Sequence, residues 1–191
     1  MTVFVLASAN PDKASEIRDI LGPGFDLLPR PADVGEVDET GETLEDNARL
    51  KARALVVATG RPAIADDTGL EVDALGGAPG VHSARYSGPG ATYASNVAKL
   101  LEELAGRSDR RARFRTVALA AWPDGREVVA EGSVRGVITE RALGSGGFGY
   151  DPVFAPDGQP RTFAEMTAAE KNAWSHRGRA FRALAAQLRP V

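Results

Sequence analysis

Over its first 65 residues this chain switches repeatedly between short apolar runs and stretches of helical period, and that alternation commits it to an α/β fold. Val3 to Ala7 is an apolar run that gives way to Ser8-Ala9-Asn10-Pro11-Asp12-Lys13, where Asn10 is a good helix N-cap and Pro11 suits the first helical position. Ala14, Ile17, Ile20 and Leu21 then recur at helical spacing before Gly22. Phe25 to Leu28 reads as a second short strand. Thr43 to Thr59 reads as a helix: Thr43 and Asp46 form a capping box, Leu44, Ala48, Ala52, Leu55 and Val56 mark its apolar face, and Gly60 stops it. Ala63-Ile64-Ala65 is then a short buried strand.

Downstream, Glu71 to Leu75 is expected to be a further strand, Gly76-Gly77-Ala78-Pro79-Gly80 to interrupt it, and Thr92 to Leu104 to form a helix on Val97, Leu100, Leu101 and Leu104. Phe114 to Trp122, the turn Pro123-Asp124-Gly125, and Glu127 to Ile138 predict a long hairpin, with Gly132 and Gly136 as bulges or bends. A glycine-rich loop runs from Gly144 to Gly149. The final helix is expected to be capped by Ser175, with Phe181, Leu184, Ala185 and Leu188 on one face. There is no internal repeat, linker or heptad array, so residues 1–191 read as a single α/β domain.

Composition narrows the classes of function. Hydrophobic residues make up 43% and charged residues 26%, which excludes disordered and low-complexity chains. The absence of cysteine removes disulfides, thiolate nucleophiles and Cys-ligated metal sites, and suits a reducing compartment. The apolar run at the N-terminus has no basic leader and stops at Ser8, so the expectation is a cytoplasmic protein with neither signal peptide nor membrane span. The net charge of −3 argues against a nucleic-acid groove. Residues 1–106 carry 9 basic and 17 acidic side chains, whereas 107–191 carry 14 and 9. That asymmetry is either surface drift or an acidic metal site complementing a basic anion site.

Ser8 to Lys13 lies where a strand hands over to a helix, a geometry in which N–H groups and the positive helix end hold phosphate. It lacks the glycines of a Walker loop, and a capped turn with a surface lysine accounts for it equally well. Only four of the 23 basic residues are lysine, so Lys13 departs from an arginine habit. Six carboxylates fall between Glu36 and Asp46 with no basic residue among them, the usual pattern of a solvated loop. Asp66-Asp67-Thr68-Gly69 follows the short strand, so one carboxylate is expected in a crevice at the strand's carboxyl end. Adjacent aspartates repel unless a cation lies near, and hard oxygens suit Mg²⁺ or Mn²⁺; a turn capped by Asp67 is the competing explanation. Gly144 to Pro152 combines a flexible backbone with Phe148, Tyr150 and Asp151, a composition for enclosing a flat heterocycle or, alternatively, a turn anchored in the core. Lys171, His176 and Arg177 offer donors to a phosphate or a keto oxygen, or else a helix cap. With two histidines in the chain, His82 and His176, a histidine-rich metal site is excluded.

As a set and in order, Ser8-Ala9-Asn10-Pro11-Asp12-Lys13, Glu39-Thr40-Gly41, Asp46-Asn47-Ala48, Lys51-Ala52, Ala65-Asp66-Asp67-Thr68-Gly69-Leu70, Gly76-Gly77-Ala78-Pro79-Gly80, Ser83-Ala84-Arg85-Tyr86, Phe148-Gly149-Tyr150-Asp151-Pro152 and Ser175-His176-Arg177-Gly178 resemble the inosine/xanthosine triphosphate pyrophosphatases. The resemblance implies an elongated mixed β-sheet flanked by helices, two lobes with a central active-site cleft, and a homodimer. It implies hydrolysis of ITP, dITP and XTP to the monophosphate and pyrophosphate. By the same resemblance, Ser8, Ala9, Asn10, Pro11, Asp12 and Lys13 hold the triphosphate, Glu39 and Asp67 bind Mg²⁺, Asp67 takes the proton of the attacking water, and Thr68 touches substrate. Phe148, Gly149, Tyr150, Asp151, Lys171, His176 and Arg177 embrace base and sugar. One departure is that the family's first loop commonly carries glycine beside Asn10, where this chain has Ala9 and Pro11.

Two other readings compete. Maf-like pyrophosphatases share the fold but typically carry Ser-Pro-Arg-Arg where this chain has Asn10-Pro11-Asp12-Lys13. A non-catalytic nucleotide sensor would keep Lys13 and the aromatic loop without needing both Glu39 and Asp67.

Overall fold

Helix starts fall where capping chemistry puts them. In the computed structural model, which describes residues 3–188, α1 (Pro11–Leu21) begins behind Asn10, whose Oδ1 accepts from the Asp12 and Lys13 amides at 2.9 and 3.2 Å. The helices α2 (Leu44–Thr59) and α3 (Tyr93–Glu103) start with capping boxes at Thr43/Asp46 and Thr92/Ser95, and Gly60 ends α2 in the left-handed conformation. A short helix that the periodicity did not suggest, α4 (Ala168–Trp174), precedes α5 (His176–Leu188), and Ser175 closes the former immediately before the latter begins.

The strands are β1 (Val3–Leu6), β2 (Asp26–Leu28), β3 (Ala63–Val72), β4 (Pro79–Gly80), β5 (Arg111–Ala121), β6 (Glu127–Ile138) and β7 (Phe154–Pro156). They form a seven-stranded sheet in the order β2-β1-β3-β5-β6-β7, with β4 paired to β3. β1 pairs parallel to β2 and β3, whereas the β3–β4 and β6–β7 pairs are antiparallel. The sheet is therefore mixed, as expected.

Two sequence expectations need correction. Ala63–Ala65 and Glu71–Leu75 are not separate strands around a turn: β3 runs unbroken from Ala63 to Val72, and Asp66-Asp67-Thr68-Gly69 lies inside it rather than at its carboxyl end. The strand tolerates two buried aspartates because alternation sends adjacent side chains to opposite faces, where Asp66 meets Lys13 and Arg177 and Asp67 meets Lys51. Gly132 and Gly136 do not interrupt β6. They clear space for backbone: a Cβ at Gly132 would lie 2.2 Å from the His176 carbonyl oxygen, and one at Gly136 2.3 Å from that of Ala155.

The chain divides into two compact units. The first comprises the residues up to Asp67, Thr116–Gly132 and those from His176 onward, and packs Phe4, Leu6, Ile17, Ile64, Phe181 and Leu184 into its core, with α1 against α5. The second comprises Thr68–Arg115 and Ser133–Ser175. Its core is more aromatic: Phe154 stacks on Phe163 at 5.4 Å and meets Phe114 edge-on at 4.8 Å. Among the described residues no helix is long and apolar enough to cross a membrane.

Candidate active site

In the first unit, two cation-carboxylate groups form on the two sides of β3. Asp66 faces α1 and α5. Its Oδ2 lies 3.4 Å from Lys13 Nζ and 3.4 Å from Arg177 Nε, and Arg177 Nη1 donates to Glu16 at 2.6 Å. Asp67 faces α2. Lys51 Nζ donates to Asp67 Oδ1 at 2.8 Å and to Glu39 Oε1 at 3.0 Å, while Asn47 Nδ2 donates to Asp67 Oδ2 at 3.3 Å. Glu39 and Asp67, the two expected metal ligands, thus converge on one ammonium group.

Electrostatics treats the neighbouring aspartates differently. Burial works against the charge on Asp66, but Lys13, Arg177 and Lys51 outweigh it and hold that carboxyl far below the usual range. For Asp67 burial wins over the opposing pull of Lys51 and Lys13, and its pKa is raised. Burial also lowers Lys13 despite Asp66, whereas at Lys51 the carboxylates of Asp67, Asp66 and Glu39 overcome burial and raise it.

The loop before α1 is held by its own polar groups. Ser8 Oγ accepts from the Asn10 amide at 3.2 Å, and Asn10 caps the Asp12 and Lys13 amides. The turn is capped, as the competing explanation has it, but its lysine is tied to buried Asp66 rather than left at the surface. Ala9, Pro11 and Asp12 are exposed. A cavity of about 420 Å³ opens beside the loop, lined by Ser8, Ala9, Arg18, Arg30 and Glu36 among others. His176 is buried at the start of α5, its Nδ1 2.6 Å from Thr116 Oγ1, a contact that fixes the ring's orientation.

The second unit holds the other expected residues. Thr68 follows Asp67 on β3 and is half-buried. Asp151 Oδ2 accepts from the Phe148 amide at 2.8 Å and from Lys171 Nζ, and that ammonium sits 4.5 Å from the Phe148 ring centroid. A positive φ at Gly147 permits this closure, where a Cβ would lie 2.1 Å from Asp151 Oδ2. Gly149 has positive φ as well. Tyr150 belongs to the core, donating to the Ser83 carbonyl at 2.9 Å, and burial raises its phenol.

Several participants escaped the sequence analysis. Glu16 shares a helix face with Lys13 at i+3, a spacing that was available to read. Thr116, and Tyr93 tilted against Phe148 at 5.8 Å, had no local signature. Among the described residues no three His, Cys, Asp or Glu side chains are grouped to hold a metal ion. The candidate donor set is Glu39 and Asp67 alone. Two hard carboxylates suit a cation that keeps water and substrate oxygens in its shell.

Comparison with known proteins identifies the family. The family model for the Ham1 family matches residues 4–187, and the chain belongs to that family. A dITP/XTP pyrophosphatase of Streptomyces avermitilis is 50% identical over 198 residues, covering 100% of this chain and 99% of that protein. Among solved structures, a HAM1 protein from Coxiella burnetii superposes with a TM-score of 0.89 at 41% identity, and the Staphylococcus aureus Ham1 protein with 0.87 at 39%, each over 98% of both chains.

Proposed function

We propose that this chain is a Mg²⁺-dependent nucleoside triphosphate pyrophosphatase that hydrolyses dITP, ITP and XTP to the nucleoside monophosphate and pyrophosphate, clearing deaminated purines from the nucleotide pool. The observation that carries the reading is geometric: at adjacent positions of β3, Asp66 is engaged by Lys13 and Arg177, whereas Asp67 meets Glu39 at Lys51. A general base needs a proton affinity closer to working pH than an ordinary aspartate has, and burial moves Asp67 that way while three cations move Asp66 the other. Asp67 accordingly takes the proton of the attacking water. Asp66 orients Lys13 and Arg177.

Glu39 and Asp67 fit a hard divalent cation, since both already direct carboxylate oxygens at the one positive centre of Lys51. Mg²⁺, with Mn²⁺ as substitute, is assigned to these two ligands and supplies positive charge against the pyrophosphate leaving group. Lys13 and Lys51 offset further phosphate charge, and Ser8 to Lys13, beside the cavity, hold the triphosphate chain. Thr68 touches substrate. Phe148 offers an aromatic face, and Lys171, His176 and Arg177 are donors to base and sugar, oriented beforehand by Asp151, Thr116 and Glu16 with Asp66. A 6-keto purine accepts from such a donor. Adenine presents an amino group instead and leaves the donor unpaired, at about 1–3 kcal/mol or roughly ten- to a hundredfold in selectivity.

The test is product analysis with Mg²⁺ and dITP, ITP and XTP beside ATP and GTP. Pyrophosphate and monophosphate from the first three, with little from ATP, is the expected result; GTP keeps the 6-keto acceptor, so its turnover reads whether the 2-amino group is refused as well. Orthophosphate release overturns the assigned bond, and binding without cleavage makes the protein a nucleotide sensor. The family resemblance also supports a homodimer resident in the cytoplasm, which sedimentation and cell fractionation check.

A further inference from the structure

Residues 29–43, between β2 and α2, contain neither helix nor strand, yet they carry Glu39. An irregular connection of this length has no ladder to set its path, so a carboxylate on it is placed by what its backbone is tied to together with its own contacts, here the Lys51 ammonium. Besides Lys51 on the carboxylate itself, Arg30 and Asn47 tie the backbone. On one side of Glu39, Arg30 donates through Nη2 to the carbonyls of Val34, at 3.2 Å, and Gly35, while its Nη1 donates to the Ala7 carbonyl at 3.0 Å. The guanidinium thereby joins the acidic loop to the residue before Ser8, using the fixed fork that a lysine lacks. Beyond Glu39, the Gly41 amide donates to Asn47 Oδ1 at 2.8 Å, and Nδ2 of the same buried amide donates to Asp67 Oδ2 at 3.3 Å. The approach at Gly41 is close: a Cβ there would lie 2.6 Å from Asp46 Cβ and 2.7 Å from Asn47 Oδ1.

We propose that Arg30 and Asn47 are positioning residues that fix Glu39 opposite Asp67, so that the two carboxylates of the cation site are set before substrate arrives. The inference rests on the assignment of Glu39 and Asp67 as the cation's ligands. Arg30 acts through two backbone carbonyls of the loop and Asn47 through one loop amide. Asn47 also holds Asp67 directly, and so couples the two ligands through a single side chain.

The experiment is Mn²⁺ binding followed by electron paramagnetic resonance on the full chain, for wild type, Arg30→Ala, Gly41→Ala, Asn47→Ser and Glu39→Gln, together with hydrogen exchange at the Gly41 amide and Mg²⁺ titration of turnover. Loss of a group that orients a metal ligand costs roughly 10- to 100-fold in affinity. Arg30→Ala and Gly41→Ala are expected to weaken Mn²⁺ about 10-fold, to speed Gly41 exchange, and to raise the Mg²⁺ needed for half-maximal turnover while kcat recovers at saturating Mg²⁺. Arg30 is half-exposed and Gly41 adds one methyl, so these variants keep the proposal testable should the buried Asn47→Ser fail to fold. If Glu39→Gln weakens Mn²⁺ but Arg30→Ala and Gly41→Ala bind it as wild type does, the positioning role is overturned and the ligand assignment stands. If Glu39→Gln itself binds Mn²⁺ normally, the ligand assignment falls and the inference with it.

Discussion

The first unit surrounds its two buried aspartates with Lys13, Lys51 and Arg177, so that each charge has several partners, whereas the second buries Lys171 with Asp151, whose carboxylate also holds the Phe148 amide. The difference separates two uses of buried charge. A network with several members lets an incoming phosphate or cation replace one contact without stranding another charge in a low-dielectric site. The Lys171–Asp151 contact, joined to the Phe148 amide and ring, holds a shape, here a glycine-rich loop with an aromatic ring on it. Under the proposed function, the first arrangement is assigned to bond cleavage and the second to presentation of a flat base.

The comparison is broken most severely by taking one member from either set. Asp66→Asn leaves Lys13 and Arg177 without their shared charge, and Lys171→Met leaves Asp151 buried; each is expected to cost about 3–5 kcal/mol in urea unfolding. Lys171→Met with Asp151→Leu should restore much of that stability while altering base selectivity, because an apolar pair fills the space but does not hold the Phe148 amide. Gly132→Ala comes next. Its methyl meets the backbone of His176 and Ala180 at 2.2 and 2.3 Å, and a loss of about 1–3 kcal/mol in thermal unfolding is expected as α5 is pushed off β6. Phe148→Ala sharpens the division of labour: a KM for dITP raised about 10-fold, with kcat little changed, matches a stacking contribution of roughly 1–3 kcal/mol.

The smallest effect falls outside both sets. Burial of Glu127 disfavours its charge, but hydrogen bonds from Arg49 and Arg53 outweigh that and hold its carboxyl below the ordinary 4.5. A depressed folded pKa contributes stability above the unfolded value that is lost as pH falls through the folded one. Glu127→Gln should therefore lower stability at pH 7 by about 0.5–1 kcal/mol and flatten the decline below pH 4.5, as read by denaturation across pH.

Much of the fold was legible because it was written locally. Asn10 with Pro11, and the Thr43/Asp46 box, mark helix starts through contacts within four residues, and those starts are where the structure has them. β3 was not legible. Asp66-Asp67-Thr68-Gly69 has turn composition, and what sets it in the sheet is distant in sequence: the strands it pairs with and the cations Lys13, Lys51 and Arg177 that meet its buried carboxylates. The site divides in the same way. Glu39 and Asp67 were named from the family resemblance, but their convergence on Lys51, and the ties made by Arg30 and Asn47, arise from chain crossings that no spacing encodes. Lys171 and Arg177 stood out as donors, while the carboxylates that orient them emerged only from the packing.

The most direct test is to measure pyrophosphate release and nucleotide affinity together for Asp67→Asn with dITP and Mg²⁺. Loss of a positioned base predicts turnover reduced by about 10²–10⁴-fold with dITP still bound. Turnover retained in Asp67→Asn would contradict the account, because the base would then lie elsewhere than on the β3 aspartate whose proton affinity burial has raised.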